Sequence, residues 1–407
     1  MNTALYLDTA RMGTMCPAAQ EACQAYFGLA ASEGCSPCFE TFLREGFDAW
    51  PASLRNRFGG LSAWPGLSRF DHYVGTATGL REMPKVLLAG RTANLMRLAA
   101  RLLFRSCRRV LTTDLEWPGY LGTLENERAR LNRSLIQVPL RAMILADRCS
   151  PQDAVRFILR TFGVEGCDGL FLSAVTYQGF RLPVRDIASA VVYASPPPVI
   201  VIDGAQAFGH CSPGPLLDQC DFFLTGAHKW LQAASPMGLG LCPHPRSKEL
   251  IQRILADMIA AGELDDPLLT FSQQCKTDVT EAFGETVSLV PLFPCAGAIA
   301  ALLREEGGPG GRFQRLLERA GQLESAAEGT SWQPVTPHEG FRSGMLLLKA
   351  DCAETKRLSP TAVRQRFQEH GVALSAYGEG MIRLSAPPDG LSTEDLARLQ
   401  AALINCA

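Results

Sequence analysis

The residues with the clearest chemical potential lie on either side of one apolar run. Val199-Ile200-Val201-Ile202 reads as a short strand that ends in Asp203, and ligands of open α/β sheets sit beyond the carboxyl ends of such strands. An acid there is placed to meet a ligand, although Asp is also a common N-cap for a following helix. Asp221-Phe222-Phe223-Leu224-Thr225-Gly226-Ala227-His228-Lys229-Trp230, whose lysine is twenty-six residues beyond Asp203, repeats the pattern, a strand, then Gly, then His-Lys. A lysine in such a turn is partly desolvated, which lowers its pKa and makes its amine a nucleophile toward an aldehyde. Most turn lysines are simple surface residues, so Lys229 gains weight only beside Asp203.

Together the two segments are what a pyridoxal-phosphate (PLP) site needs, an acid to keep the pyridine nitrogen protonated and a lysine to hold the aldehyde as a Schiff base. Asp203-Gly204-Ala205-Gln206-Ala207-Phe208-Gly209-His210 followed by Gly226-Ala227-His228-Lys229-Trp230 resembles the class V aminotransferase family, which includes cysteine desulfurases and isopenicillin N epimerase-like enzymes. The resemblance runs from Leu5 to the C-terminus, strongest over 199–242 and weakest over 31–70. It implies a PLP-dependent transferase fold of the aspartate aminotransferase type, a seven-stranded, mainly parallel sheet in a large domain beside a smaller α+β domain. It also implies a homodimer.

Site roles follow by the same resemblance. Lys229 carries the cofactor and serves as general base for the substrate Cα proton. Asp203 meets the pyridine nitrogen, Gln206 the phenolic oxygen, and His228 the phosphate, with Thr225 or Gly226 where a serine often helps. Gly90-Arg91-Thr92-Ala93-Asn94 opens a helix after a strand, so Thr92 and Ala93 stand where free N–H groups and a hydroxyl grip an anion; Arg91 replaces a second hydroxyl. Trp117, in Thr112-Thr113-Asp114-Leu115-Glu116-Trp117, occupies the place of the residue stacked on the ring, though a core tryptophan at a strand end has the same look. Arg383, in Ile382-Arg383-Leu384-Ser385, matches the arginine that pairs with a substrate carboxylate, where the ordinary alternative is a surface salt bridge. Leu7-Asp8-Thr9-Ala10 resembles an N-terminal loop that returns to the site.

Two departures bear on function. A Gly-Thr pair that the family often lends to the partner's phosphate falls at Leu292-Phe293. The loop Val372–Gly380 lacks the nucleophilic cysteine of desulfurases, and Cys352 is the nearest upstream. The expected activity is therefore amino-group transfer from a small amino acid bound as an external aldimine and deprotonated at Cα. The alternative is a lyase (C–S or other β- or γ-elimination), an epimerase or a cyclase of small-molecule biosynthesis. Cysteine desulfuration and a non-catalytic PLP-sensing regulator come behind.

The elements that must position these residues are legible as alternating short apolar runs and amphipathic stretches, the pattern of a βαβ protein. Strands are expected at Val86–Ala89, Val110–Thr113, Leu135–Val138, Leu170–Leu172, Val199–Ile202, Phe222–Leu224 and Gly238–Leu241, with a helix over 92–103. Past 290 the pattern changes: helices over 296–304, 313–328, 361–370 and 393–404, strands at 345–348, 372–374 and 381–384, and a Gly-rich turn at 307–311. Three parts follow, an N-terminal arm over 1–20, a PLP-binding large domain over 21–290 and a small domain over 291–407. Residues 31–70, rich in Trp and Arg, could line a substrate pocket or cover a dimer interface.

The chain has 407 residues, 47% hydrophobic and 20% charged, with a formal charge of −2. That balance suits a globular protein and lacks the basic stripe a nucleic-acid partner requires. No signal peptide or membrane span is expected, so the expected location is cytoplasmic. The 14 cysteines are read as small core residues. Cys35-Ser36-Pro37-Cys38 lacks the second pair that a zinc site needs, so no metal is expected.

Overall fold

Five-residue strands, most of them covered on both faces, build the central sheet of the computed structural model, which describes residues 4–34, 37–80, 83–193, 197–211, 214–275 and 286–406. In spatial order the seven strands are Lys85–Ala89, Gly238–Cys242, Phe222–Gly226, Val199–Asp203, Gly169–Ser173, Arg109–Thr113 and Ser134–Val138. Gly238–Cys242 is antiparallel to both neighbours, and the other pairings are parallel. Every residue of Gly169–Ser173 and Phe222–Gly226 is buried, which explains why these strands read as continuous apolar runs rather than as alternation. All seven expected strands are present, each one or two residues longer than its apolar run.

Helix Thr92–Ser106 lays Leu95, Met96, Leu98, Ala99, Leu102 and Leu103 against the sheet. Its contacts reach six strands, from Lys85–Ala89 to Arg109–Thr113. The parallel strands all deliver their last residues to one edge. Thr113, Ser173, Asp203 and Gly226 therefore meet there although they are scattered in sequence.

Beyond residue 290 an antiparallel sheet takes the order Ser375–Tyr377, Met381–Ser385, Met345–Ala350, Trp332–Pro334. Near the N-terminus Leu5–Tyr6 pairs in parallel with Val372–Ala373, and the Ser385 N–H donates to the Leu7 carbonyl at 2.8 Å. The first residues of the chain are thereby fixed beside the strand that carries Arg383.

Two stretches differ from the reading above. The glycines at 307–311 are not a turn before the helix but its beginning, since the helix spans Gly308–Ala327 behind Gly307 at φ 68° with Pro309 in its first turn. Proline fits a helix's first turn because its missing N–H has no partner there anyway. Within 31–70, Phe42, Trp50 and Trp64 are buried and pack with Phe293, Phe42 stacking on Trp50 at 3.9 Å. The segment is thus a small aromatic core, while Arg44, Arg55, Arg57 and Arg69 face outward.

Among the described residues no helix is long and apolar enough to cross a membrane, and no group of His, Cys, Asp or Glu could hold a metal ion. The Cys35–Cys38 pair lies outside the described residues as far as Cys35 and Ser36 are concerned, and so does the side chain of Cys38.

Candidate active site

Lys229 follows Phe222–Gly226 in a turn pinned from several directions. The Gly13 N–H donates to the His228 carbonyl at 2.8 Å, and a Cβ on Gly13 would sit 2.0 Å from the Lys229 carbonyl oxygen. Trp230 is fully buried and donates its indole N–H to Gln206 Oε1 at 2.8 Å. From the helix Gly308–Ala327, Arg312 donates to the Gly209 and Trp230 carbonyls at 3.3 and 3.1 Å. The lysine amine projects into a cavity of about 690 Å³ lined also by Asp203, Gln206, His228, Thr92, Ala93, Trp117 and Arg383.

Burial pushes the Lys229 ammonium down to about 8, with the Arg383 charge adding to the effect and Asp203 opposing it. A larger fraction of the amine is then neutral near pH 7 than in an exposed lysine. Asp203 stands across the same cavity. Its Oδ1 accepts the Ala205 N–H at 2.8 Å, and burial raises it to about 6 despite that bond and the Lys229 charge.

At the edge of the sheet, helix Thr92–Ser106 begins without a side-chain cap, and its first two residues, Thr92 and Ala93, line the cavity, where the N–H groups of a helix start lack intrahelical partners. Asp266 takes the preceding Gly90 N–H at 3.0 Å and Asn94 Nδ2 at 2.7 Å, which holds the turn in place. His228 Nδ1 is buried with no partner, and its burial drives the ring down to about 4, keeping it neutral. Gly226 cannot be replaced freely here, because a Cβ would lie 2.9 Å from both Thr92 Oγ1 and His228 Cε1. An uncapped helix start, a partnerless imidazole nitrogen and a glycine cradle fit a phosphate.

Arg383 is buried and its guanidinium is already engaged. It donates to the Tyr177 carbonyl at 2.5 Å and to Ser375 Oγ at 3.1 Å, and it pairs with Asp8 at 3.3 Å. Its Nε is buried without a partner, and the side chain lines the cavity.

The sequence-derived residues divide as follows. Lys229, Asp203, Gln206, His228, Thr92, Ala93, Trp117 and Arg383 all line the one cavity. Thr225 does not: it is buried, and its hydroxyl is spent on the Gly204 carbonyl at 2.9 Å. Thr92 donates its hydroxyl to the Thr225 carbonyl at 3.2 Å. Gln206 is tied by Nε2 to the Ala10 carbonyl at 2.8 Å as well as to Trp230. Trp117 is 52% exposed and lies edge-on to Tyr120, its ring folded over Gly119. Arg91 is exposed at the rim. Phe293 is buried in the aromatic core of residues 31–70.

Four contributors, Glu116, Ser173, Tyr177 and Tyr377, escaped the sequence reading. Glu116, beside Trp117, is buried and hydrogen-bonded to Ser173. Tyr177 and Tyr377 face each other edge-on at 5.6 Å and both line the cavity beside Arg383. Only the strand-end position of Ser173 and Glu116's adjacency to Trp117 hinted at any of them.

No protein-family model and no curated protein matches the chain. Its fold is nevertheless similar to those of solved class V PLP enzymes over nearly the whole length. The cystine C-S lyase C-DES, in complex with its product cysteine persulfide, is 17% identical with a TM-score of 0.71, covering 99% of this chain and 98% of that one. The cysteine desulfurase CsdA from Escherichia coli is 14% identical, TM-score 0.68, over 99% and 94%. Pyridoxamine-pyruvate aminotransferase from Mesorhizobium loti is 14% identical, TM-score 0.67, over 100% and 92%.

Proposed function

We propose that this protein is a PLP-dependent enzyme that binds a small amino acid and transfers its amino group. One observation carries the reading: a desolvated Lys229 amine, a buried Asp203 carboxyl and a buried Arg383 guanidinium line a single cavity whose rim holds an uncapped helix start. When bound, PLP supplies an aldehyde for the amine and a ring that withdraws electrons from the substrate's Cα.

The residues divide the remaining work. Thr92 and Ala93 N–H groups and His228 Nδ1 would hold the phosphate. Asp203 would keep a proton on the pyridine nitrogen. Gln206, fixed between Ala10 and Trp230, retains one amide N–H for the phenolic oxygen. Arg383 takes the substrate carboxylate, and Lys229 removes and returns the Cα proton. Trp117, at the exposed side of the cavity, would be the aromatic residue available to the ring.

Among the described residues no cysteine lines the cavity, and Cys352 caps the short helix Ala353–Arg357 away from it. That argues against persulfide formation on the protein and supports amino-group transfer. Elimination is the second reading, favoured by the similarity to a cystine C-S lyase. The same reading carries a homodimer, an N-terminal arm over 1–20, a large domain over 21–290 and a small one over 291–407.

The test is to add PLP to the purified protein and record its absorption with and without Lys229→Ala. A lysine-dependent band supports the assignment, and its absence sinks it. Amino acids are then screened for spectral shifts and products are identified by mass spectrometry. A keto acid indicates transfer, whereas ammonia with a cleaved side chain indicates elimination.

A further inference from the structure

Glu116 is buried at the end of the turn that follows Arg109–Thr113, with no cation beside it among the described residues. Its Oε1 accepts the Thr113 hydroxyl at 3.0 Å and the Ser173 N–H at 3.2 Å. Its Oε2 has one contact, Ser173 Oγ. The same Ser173 Oγ lies 3.4 Å from Asp203 Oδ2.

A serine hydroxyl carries one proton, and a carboxylate carries none. Ser173 Oγ therefore cannot donate to Glu116 and Asp203 at once. Both contacts are hydrogen bonds only if one carboxyl is protonated and donates to the serine oxygen. Asp203 faces the Lys229 ammonium and accepts the Ala205 N–H, so it is the better carboxylate. Glu116 faces only Thr113, Ser173 and the Asp203 charge. The other titratable group near Asp203 is Tyr120, from helix Pro118–Arg130, whose burial keeps its hydroxyl protonated.

Resting on the PLP reading of this cavity, we propose that Glu116 is a positioning residue held in its neutral acid form, donating from Oε2 to Ser173, whose hydroxyl in turn donates to the Asp203 carboxylate. The arrangement puts one negative charge, not two, beneath the pyridine nitrogen. It also aims that charge, because Ala205 and Ser173 fix both Asp203 oxygens. Burial agrees with the direction, raising Glu116 to about 8, further than Asp203. Two buried carboxyls a serine apart would otherwise repel each other, and the proton is retained by the more isolated one.

The proton can be sought directly by infrared difference spectroscopy of the cofactor-free protein near pH 7. A protonated carboxyl C=O band is expected in the wild type, lost in Glu116→Gln and retained in Asp203→Asn. In the PLP-loaded protein, the pyridine resonance of ¹⁵N-labelled PLP is read in Glu116→Ala, Glu116→Gln and Ser173→Ala. Alanine at either position should move the resonance and weaken PLP at least about tenfold, roughly 1.4 kcal/mol. Glutamine, whose amide donates where the acid did, should restore both toward wild type. A missing band, a band that survives Glu116→Gln, or a glutamine variant no better than alanine overturns the proposal. A wild type that binds no PLP would instead remove the cofactor reading, while the infrared band would still decide where the proton sits.

Discussion

The arginine offered to the substrate carboxylate is not a free cation, and that makes its removal costly in two separable ways. Arg383 is 3% exposed and Asp8 is 0% exposed. Their 3.3 Å ion pair is supported by Ser375, whose hydroxyl donates to Asp8 at 2.6 Å. Removing one member of a buried pair leaves the other charge uncompensated, which costs about 3–5 kcal/mol. Here Arg11, largely exposed, still holds Asp8 at 2.6 Å, so Arg383→Met should fall at the low end, about 3 kcal/mol. Unfolding entropy of about 2.1 cal/mol/K per residue over 407 residues is roughly 0.9 kcal/mol/K. The expected loss in Tm is then about 3–4 °C. Adding Asp8→Asn removes the stranded charge and should return at least about 1.5 kcal/mol, a coupling typical of residues in direct contact. Substrate affinity behaves differently. A charge-assisted hydrogen bond contributes about 1.5–3 kcal/mol, so amino-acid binding to the PLP-loaded Arg383→Met should weaken roughly 10- to 150-fold. Asp8→Asn should not restore it. Thermal unfolding and spectral titration of the two single variants and the double variant make the cycle. Additive Tm losses, or unchanged amino-acid affinity in Arg383→Met, would refute the reasoning.

Gly226→Ala places a methyl group 2.9 Å from Thr92 Oγ1 and His228 Cε1 and should weaken PLP at least about tenfold in a binding titration; an unchanged Kd rejects the phosphate cradle. The Lys229 amine, with its pKa pushed down to about 8, should react with PLP at a rate that rises with pH through a midpoint near 8, since only the unprotonated amine attacks. A midpoint near 10.5, the ordinary lysine value in the same comparison, would mean that the amine is not desolvated. His210 is buried with Nδ1 on the Gln206 carbonyl at 2.7 Å and Nε2 accepting the Gly344 N–H at 2.8 Å, and burial lowers it from 6.5 to about 4. Because the folded form resists protonation, stability is complete above 6.5 and declines as pH falls toward 4, by up to about 1.4 kcal/mol per pH unit. His210→Phe should flatten part of that decline, the rest belonging to His228, while costing about 2–3 kcal/mol near pH 7 for the two backbone groups left unpaired. Denaturant unfolding across the pH series tests both halves, and an undiminished acid decline counts against it.

What could be read from the sequence is what a strand and the turn after it encode locally. Val199–Ile202 is continuous because it is covered on both faces, and the residue that ends it must sit at the sheet edge, so Asp203 and Lys229 were visible as strand-end chemistry. Arg383 was visible only through its resemblance, because nothing near it in the chain shows that it is buried. Its partner Asp8 is 375 positions away, and the contact depends on Leu5–Tyr6 pairing with Val372–Ala373 and on Ser375 standing opposite Arg383 across the antiparallel register. Thr225 illustrates the converse error. Its place four residues before the lysine suggested a phosphate ligand, but inside a fully buried strand its hydroxyl needs a partner, and Gly204, just past the end of the neighbouring strand Val199–Asp203, offers the carbonyl. Glu116 had no local signature either, since an acid before a tryptophan reads as an exposed side chain until Ser173, 57 positions on, is brought beside it by the parallel pairing of Arg109–Thr113 with Gly169–Ser173. The same sheet edge that collects the recognisable residues also collects the unrecognisable ones. Charge balance then separates them: a buried acid needs a cation or a proton. Asp8 has Arg383 and Asp203 has Lys229, whereas Glu116 faces no cation among the described residues, which is why the proton is proposed for it.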